Sequence, residues 1–253
     1  MNKYLAILDR KTLVLTIICI VITYLCDTYE FTYDLNITLF SIAIIFPLVF
    51  TMRESFKRRD SALKFLSKFK ASILALHQAI SGSKKLPDDF KTESVNLMGS
   101  LSETFLSALQ ARELETAQTE ACVDKINGFI RDHREHFSWN TSIKLLKFVE
   151  NMQESIENTF SLKLHGTPIS LRAYCLVFIY MSPVIFTPTI LYNLGGTHLL
   201  TAYFLSVIHG FVLISLYNVQ DHMEDPFDQI GLDDIRLTEY RFDASSLAEQ
   251  GQH

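Results

Sequence analysis

Apolar residues in this chain come in runs. The first spans Thr12 to Leu25, and the second spans Leu35 to Met52 with no charge between Asp34 and Arg53. A third runs from Leu171 to Leu194 with Arg172 near its start, and a fourth from Leu199 to Val219. Runs of about 20 apolar residues match the hydrocarbon thickness of a bilayer at a helical rise of about 1.5 Å per residue. The spacing therefore predicts four membrane helices. The first run is short for a full span, so the sequence predicts a tilt or an extension through Leu5 to Leu8. Residues 1–11 read as a short interfacial helix.

Between the second and third runs the period changes. Residues 54–165 are charged, with apolar positions at helical spacing. Four stripes follow one another. They are Ala62 to Leu76, Val95 to Leu109, Val123 to Ile130, and Ile143 to Phe160, the last with Thr141 or Ser142 as the expected cap. Ser81-Gly82-Ser83 and Leu86-Pro87-Asp88-Asp89 mark a break after the first stripe. This region reads as a helical bundle continuing from the membrane helices. Pro183 and Pro188 predict kinks in the third run, and Gly195-Gly196 a tight turn after it. The acidic segment Asp221 to Asp228 ends the fourth run, and the residues after it, to His253, read as a polar, partly disordered tail.

Charge sets the expected topology. Lys3, Arg10 and Lys11 precede the first run, and Arg53, Lys57, Arg58 and Arg59 follow the second. By the positive-inside rule these ends, the bundle and both termini are cytoplasmic. The acidic, aromatic hairpin Asp27 to Asp34 is then outside. A cleavable leader is disfavoured because Tyr24-Leu25-Cys26-Asp27 lacks small residues. The net charge of −5 gives no reason to expect a nucleic-acid partner. Cys19, Cys26, Cys122 and Cys175 lie far apart, with no C-x-x-C pair, and read as free buried thiols.

Little in the sequence suggests catalysis. His133 and His136 form an H-x-x-H pair without a further ligand nearby, and a solvated helix face is the favoured reading. His209 is an ionisable group inside an apolar run, which suggests either function or a hydrogen bond to a neighbouring helix. Asp221, Glu224, Asp225 and Asp228 could bind calcium, but they are not in an EF-hand loop. In the second run Ile42, Phe46 and Phe50 are spaced i, i+4, i+8 and share one helix face. That face can line a pore, or it can meet lipid or another helix. Spacing alone leaves these readings open.

Two segments resemble the bestrophin family, including its bacterial branch. His165-Gly166-Thr167-Pro168-Ile169-Ser170-Leu171-Arg172-Ala173-Tyr174 is similar to the family's T-P-[I/L]-P-x-x-Y stretch leading into the third membrane segment, with Ser170 replacing the second proline. Glu224-Asp225-Pro226-Phe227 is similar to the E-[D/N]-P-F-G signature, with Asp228 where glycine is usual. Phe50, Phe56 and Arg58 match part of F-R-N-x-x-x-Y-x-R, while Thr51 and Met52 do not. The tryptophans usual after the second helix are replaced by Arg59 and Asp60. The order and spacing of the four runs agree with the family across nearly the whole chain.

The resemblance implies a homopentameric ion channel with one central pore. It places three rings of a hydrophobic neck on Ile42, Phe46 and Phe50, and a cytoplasmic aperture on Ile169. The animal members' calcium clasp is an acidic run that is broken here, over Asp228 to Asp234. No cofactor is therefore expected, and calcium is a minority reading. The expected partners are other copies of the chain, the lipid bilayer and small inorganic ions.

The expectation is an all-α integral membrane protein of the inner cell membrane, bestrophin-like, with four transmembrane segments and a cytosolic helical bundle. Its divisions are an N-terminal segment and first hairpin over 1–52 (spans at about 12–26 and 35–52), a bundle over 53–165, a second hairpin over 166–220 (spans at about 170–194 and 198–219), and an acidic tail over 221–253. The expected function is passive conduction of small monovalent ions, chloride by family resemblance, with the acidic outer mouth favouring cations. The alternative is a non-conducting, membrane-anchored interaction module. An enzyme ranks third.

Overall fold

The computed structural model describes residues 9–195, 198–229 and 234–244. The expected interfacial helix, the second glycine of the Gly195-Gly196 turn, and the middle of the Asp228–Asp234 stretch lie outside these residues. Seven α-helices follow in order: α1 Arg10–Thr28, α2 Ile37–Ser81, α3 Asp88–Gln110, α4 Ala117–Asp132, α5 Trp139–Leu164, α6 Ile169–Leu194 and α7 Leu199–His222. Two short 3-10 turns, Arg134–His136 and Leu237–Tyr240, complete the secondary structure of the described residues. Four stretches are long and apolar enough to cross a membrane: α1, the first part of α2, α6 and α7. The protein is an all-α integral membrane protein.

The chain divides into two compact units. One comprises residues 1–57 and 166–224, the other residues 58–165 and 225–253. Helix α2 supplies residues to both, because its 45 residues run on unbroken from the apolar run into the charged region.

In the membrane unit, α1, α6 and α7 pack on one another. Their shared core includes Leu15, Cys19, Cys175, Ile179, Phe186 and Ile214, together with Ile44 and Leu48 of α2. Helix α1 spans 19 residues, about 28 Å, and so reaches further at both ends than its apolar run. Helix α7 packs tightly on α1 at Gly210, where a Cβ would lie 2.7 Å from Cys19 Sγ. A larger residue there forces the two helices apart. The outer surface of this unit carries exposed Leu13, Ile17, Val21, Val177, Phe204 and Ile208. An apolar surface of this extent needs lipid or protein to cover it.

Prolines interrupt two of these helices without breaking them. A proline cannot donate to the carbonyl four residues back. In α2, Pro47 releases the Ala43 carbonyl, which accepts a long 3.4 Å contact from the Tyr174 hydroxyl. In α6, Pro183 releases the Ile179 carbonyl, which accepts from Ser182 Oγ at 2.8 Å. Within a bilayer no water is present to do this, so side chains must.

The bundle unit is built on the four expected stripes. Ala62, Leu66, Phe69, Ile73, Leu76 and Ile80 are all essentially fully buried along α2. The second and third stripes fall on α3 and α4. The fourth falls on α5 only from Val149 to Phe160: Ile143 and Leu146 are exposed, and Leu145 takes the core position one turn before Val149. Phe105 sits between Phe69 and Phe160, with ring centroids 4.7 and 5.5 Å away. The chain leaves α2 at Ser81, where the Ser-Gly-Ser break was expected.

Three local expectations are corrected here. The cap of α5 is Ser138, whose Oγ accepts from the Thr141 amide at 3.2 Å, and not Thr141 or Ser142. The His133/His136 pair does not form a solvated helix face. Helix α4 ends at Asp132, and both imidazoles pack on Phe90, with His133 Nδ1 2.9 Å from the Phe129 carbonyl. The segment after Phe227 is not loose where it is described: Ile235, Leu237 and Phe242 are buried in the bundle core. The Phe242 amide donates to Ser102 Oγ at 2.8 Å, and Arg241 pairs with Glu103. Isolated apolar residues in a polar segment give no periodic signal, so this docking was hidden in the sequence. All four cysteines are buried free thiols.

Truncating Phe105 to alanine leaves a cavity between two rings. A loss of about 3–5 kcal/mol is expected, read as a lowered thermal unfolding midpoint of the purified protein in detergent.

Candidate pore-lining face and the loop that presents Ile169

Helix α2 begins behind Asn36, whose Oδ1 accepts from the Thr38 amide at 3.1 Å. In its apolar part, Ile44, Leu48, Thr51 and Ser55 are at most 2% exposed. This spacing is a single stripe, i, i+4, i+7, i+11. Thr51 and Ser55 are tolerated there because their hydroxyls donate back into the helix, to Leu48 O at 2.8 Å and Thr51 O at 3.2 Å.

At about 100° per residue, Ile42, Phe46 and Phe50 point to the side opposite that stripe. They are 56%, 60% and 45% exposed in the single chain. Phe46 and Phe50 meet edge to face, with centroids 4.6 Å apart. Large apolar side chains turned away from the chain's own core need another surface. The neighbouring positions Leu39, Ile45 and Val49 are exposed as well.

Ile169 is the first residue of α6 and is 83% exposed. A carboxylate from the far end of the sequence fixes the approach to it. Glu224 Oε1 accepts from the Thr167 amide at 2.5 Å, and Oε2 accepts from Thr167 Oγ1 at 2.8 Å. Gln220 Nε2 donates to the same Oε2 at 3.2 Å. The Gly166 Cα is so close that a Cβ would stand 2.7 Å from Glu224 Oε1. Glycine at 166 thus makes room for the carboxylate. Charge-assisted bonds of this kind are shorter and stronger than neutral ones.

At the same end of the membrane unit, Asp221 takes two cations. Lys11 Nζ lies 2.7 Å from its Oδ2, and Arg172 pairs with its Oδ1. Lys11 also lies over the Tyr217 ring, 5.1 Å from its centroid. Asn218 donates to Thr12 Oγ1 at 3.0 Å, tying α7 to the start of α1.

In the bundle unit, the other signature residues have different partners. Arg58 donates to the Leu162 carbonyl at 2.8 Å and to the His165 carbonyl, satisfying the last turn of α5. Lys163, buried, donates to the Leu109 carbonyl at 2.6 Å and lies 3.2 Å from Asp225. Asp225 Oδ1 also accepts from the Phe227 amide at 3.1 Å, and Phe227 is fully buried. Pro226 O accepts from the Ile235 amide at 2.9 Å. Three of the acids considered for calcium, Asp221, Glu224 and Asp225, are therefore engaged with cations, amides and a hydroxyl in these bonds. Among the described residues no three His, Cys, Asp or Glu side chains converge on one point. His209 packs on Phe186 at 4.3 Å, and its Nε2 has no hydrogen-bond partner among the described residues.

The signature residues were visible in the sequence, but their partners were not. Nothing in the spacing pairs Glu224 with Thr167, Asp221 with Lys11 and Arg172, or Arg58 with the end of α5.

No family model matches the chain, and no curated protein sequence matches it. Solved structures do. A bacterial bestrophin homologue from Klebsiella pneumoniae, solved as a single-substitution variant, aligns with TM-score 0.75 at 16% identity, covering 91% of this chain and 93% of that one. A second variant of a Klebsiella pneumoniae bestrophin homologue gives TM-score 0.75 at 17% identity, over 96% and 98%. A structure described as a membrane protein gives 0.77 at 18% identity, over 96% and 97%. The fold of this chain is that of the bacterial bestrophin homologues.

Glu224→Ala leaves both Thr167 donors without their acceptor, and Gly166→Ala displaces the carboxylate. Hydrogen bonds to charged groups are worth about 1.5–3 kcal/mol. Both variants are expected to speed Thr167 amide exchange about ten- to hundredfold, measured by hydrogen–deuterium exchange with mass spectrometry. Exchange in the α3 core should be unchanged.

Proposed function

We propose that this chain forms a homopentameric, bestrophin-like ion channel that conducts small monovalent ions passively through a central pore. Ile42, Phe46 and Phe50 of each copy make the neck, and Ile169 makes a second constriction. The bundle and both termini face the cytoplasm, with spans over about 12–26, 35–52, 170–194 and 198–219, in the inner cell membrane. The two hairpins carry the pore, the region 53–165 forms the cytosolic bundle, and 221–253 is an acidic cytosolic tail.

One observation carries this reading. The face bearing the three neck residues lies opposite the buried stripe of α2, so it is the face the single chain leaves uncovered. Lipid could cover it equally well on hydrophobicity alone. The bestrophin fold supports the pore, because the neighbouring structures with that fold include bestrophin homologues.

The physics of such a neck follows from its side chains. An apolar ring offers a passing ion no ligand to replace its water, so the passage closes by dewetting without being fully blocked. Apolar rings also discriminate charge sign weakly. Selectivity then falls to charged groups at the mouths. Asp27, Glu30 and Asp34 stand at the outer mouth and favour cations, while family resemblance favours chloride.

The test is reconstitution in a planar bilayer under a KCl gradient. A reversal potential displaced from zero is expected, its sign identifying the permeant ion. The triple variant Ile42→Ala, Phe46→Ala, Phe50→Ala is expected to raise the open-to-closed ratio by about tenfold, an equilibrium shift of ~1.4 kcal/mol. Unchanged current and open probability in that variant would remove the neck assignment.

A further inference from the structure

The bundle unit holds a cavity of about 340 Å³ between the end of α4 and the start of α5. Its size is that of a small-ligand pocket, about 300–1,000 Å³. Ile130, buried, and Ile143 and Leu146, exposed, give it an apolar lining. Trp139 stands at its edge, 66% exposed. A large aromatic left this open in a bundle is unusual, since burying it is worth several kcal/mol.

The charged groups around the cavity have one sign. Arg131 and Arg134 both line it, and no acidic residue does. The Arg134 guanidinium lies over the Trp139 ring, 5.1 Å from its centroid, which holds the cation at the lip. Arg131 makes a long, exposed 3.8 Å pair with the adjacent Asp132, worth little in water. Ser142 also lines the cavity. It is 6% exposed, and its hydroxyl has no hydrogen-bond partner among the described residues. A buried hydroxyl left unpaired costs about 1–3 kcal/mol, so a polar ligand atom there is favoured.

We propose that this cavity binds a small amphipathic organic anion, an aryl or alkyl carboxylate with its body on Ile130, Ile143 and Leu146 and its carboxylate on the two guanidiniums. The guanidinium fork matches a carboxylate bidentately. The apolar wall supplies burial that a bare inorganic ion cannot use. Two adjacent cations with an enclosed, unpaired hydroxyl suit a small concave-bound solute better than a flat protein face. The site belongs to the bundle and stands independently of whether the membrane helices conduct.

Trp139 is the single tryptophan of the chain, so its emission reports this cavity directly. The probe is 4-bromophenylacetate at neutral pH, titrated into the full-length protein in dodecyl maltoside. The control is 4-bromophenylacetamide, which has the same ring without the charge. Saturable heavy-atom quenching by the acid is expected, with the amide at least about tenfold weaker, the worth of one charge-assisted contact. Arg131→Gln with Arg134→Gln should abolish saturation at unchanged particle mass by light scattering. Each single variant should weaken it, which keeps the test intact if the double variant does not assemble. Linear, equal quenching by acid and amide overturns the proposal. So does a Trp139 shielded from both the probe and neutral acrylamide, which assigns this face to contact between copies of the chain.

Discussion

Pro47 sits in the middle of an apolar helix, where no water can repair the hydrogen bond that it breaks. The continuity of α2 rests on how that defect is handled. The freed Ala43 carbonyl faces Tyr174 of α6, and Pro183 of α6 is answered by Ser182 in the same helix. Thr51 and Ser55 satisfy themselves against the backbone on the buried side. On α2 itself, the hydroxyls of Thr51 and Ser55 lie on the side that packs against its own chain. The opposite side is left wholly apolar, with Ile42, Phe46 and Phe50 along it. The requirement that every backbone group be satisfied in lipid thus sorts the two faces of the helix before any function is considered.

Charge is used in the same economical way at the other end of the membrane unit. Asp221 and Glu224 follow each other by one turn near the end of α7, yet they have separate tasks. Asp221 gathers Lys11 and Arg172, so three helices meet at one carboxylate. Glu224 is bonded to Thr167. It holds the backbone and hydroxyl that precede Ile169, with Gly166 clearing the space. A residue as exposed as Ile169 gains a defined position only through such a neighbour. The two acids of the E-D-P-F element thus have different structural partners: Glu224 holds Thr167 ahead of Ile169, and Asp225 holds Lys163 and the Phe227 amide.

The fold was legible because its signals are collective. Four apolar runs, four amphipathic stripes and a Ser-Gly-Ser break each sum many residues, and all recur as helices and turns. The face of α2 was legible for the same reason, since i, i+4, i+8 survives any small shift in helix ends. What stayed hidden rests on single contacts between distant residues. The grip of Glu224 on Thr167 spans 57 positions, and that of Phe242 on Ser102 spans 140. Ser138 was overlooked as a cap because Thr141 and Ser142 lie closer to the apolar stripe. The histidine pair was misread because helix α4 stops at Asp132, one residue before it, and the turn that follows carries no periodicity.

The central claim is that the uncovered face of α2 borders a water path and not lipid. It is tested most directly by single cysteines at Ile42, Phe46, Phe50, and at Ile17 and Phe204 of the outer apolar surface as controls, in a background with the four native cysteines replaced. A charged methanethiosulfonate is applied from the aqueous side during bilayer recording. The account predicts reaction and altered current at positions 42, 46 and 50, and none at the two controls. Reaction at the controls with silence at the three neck positions would contradict it and return that face to the bilayer.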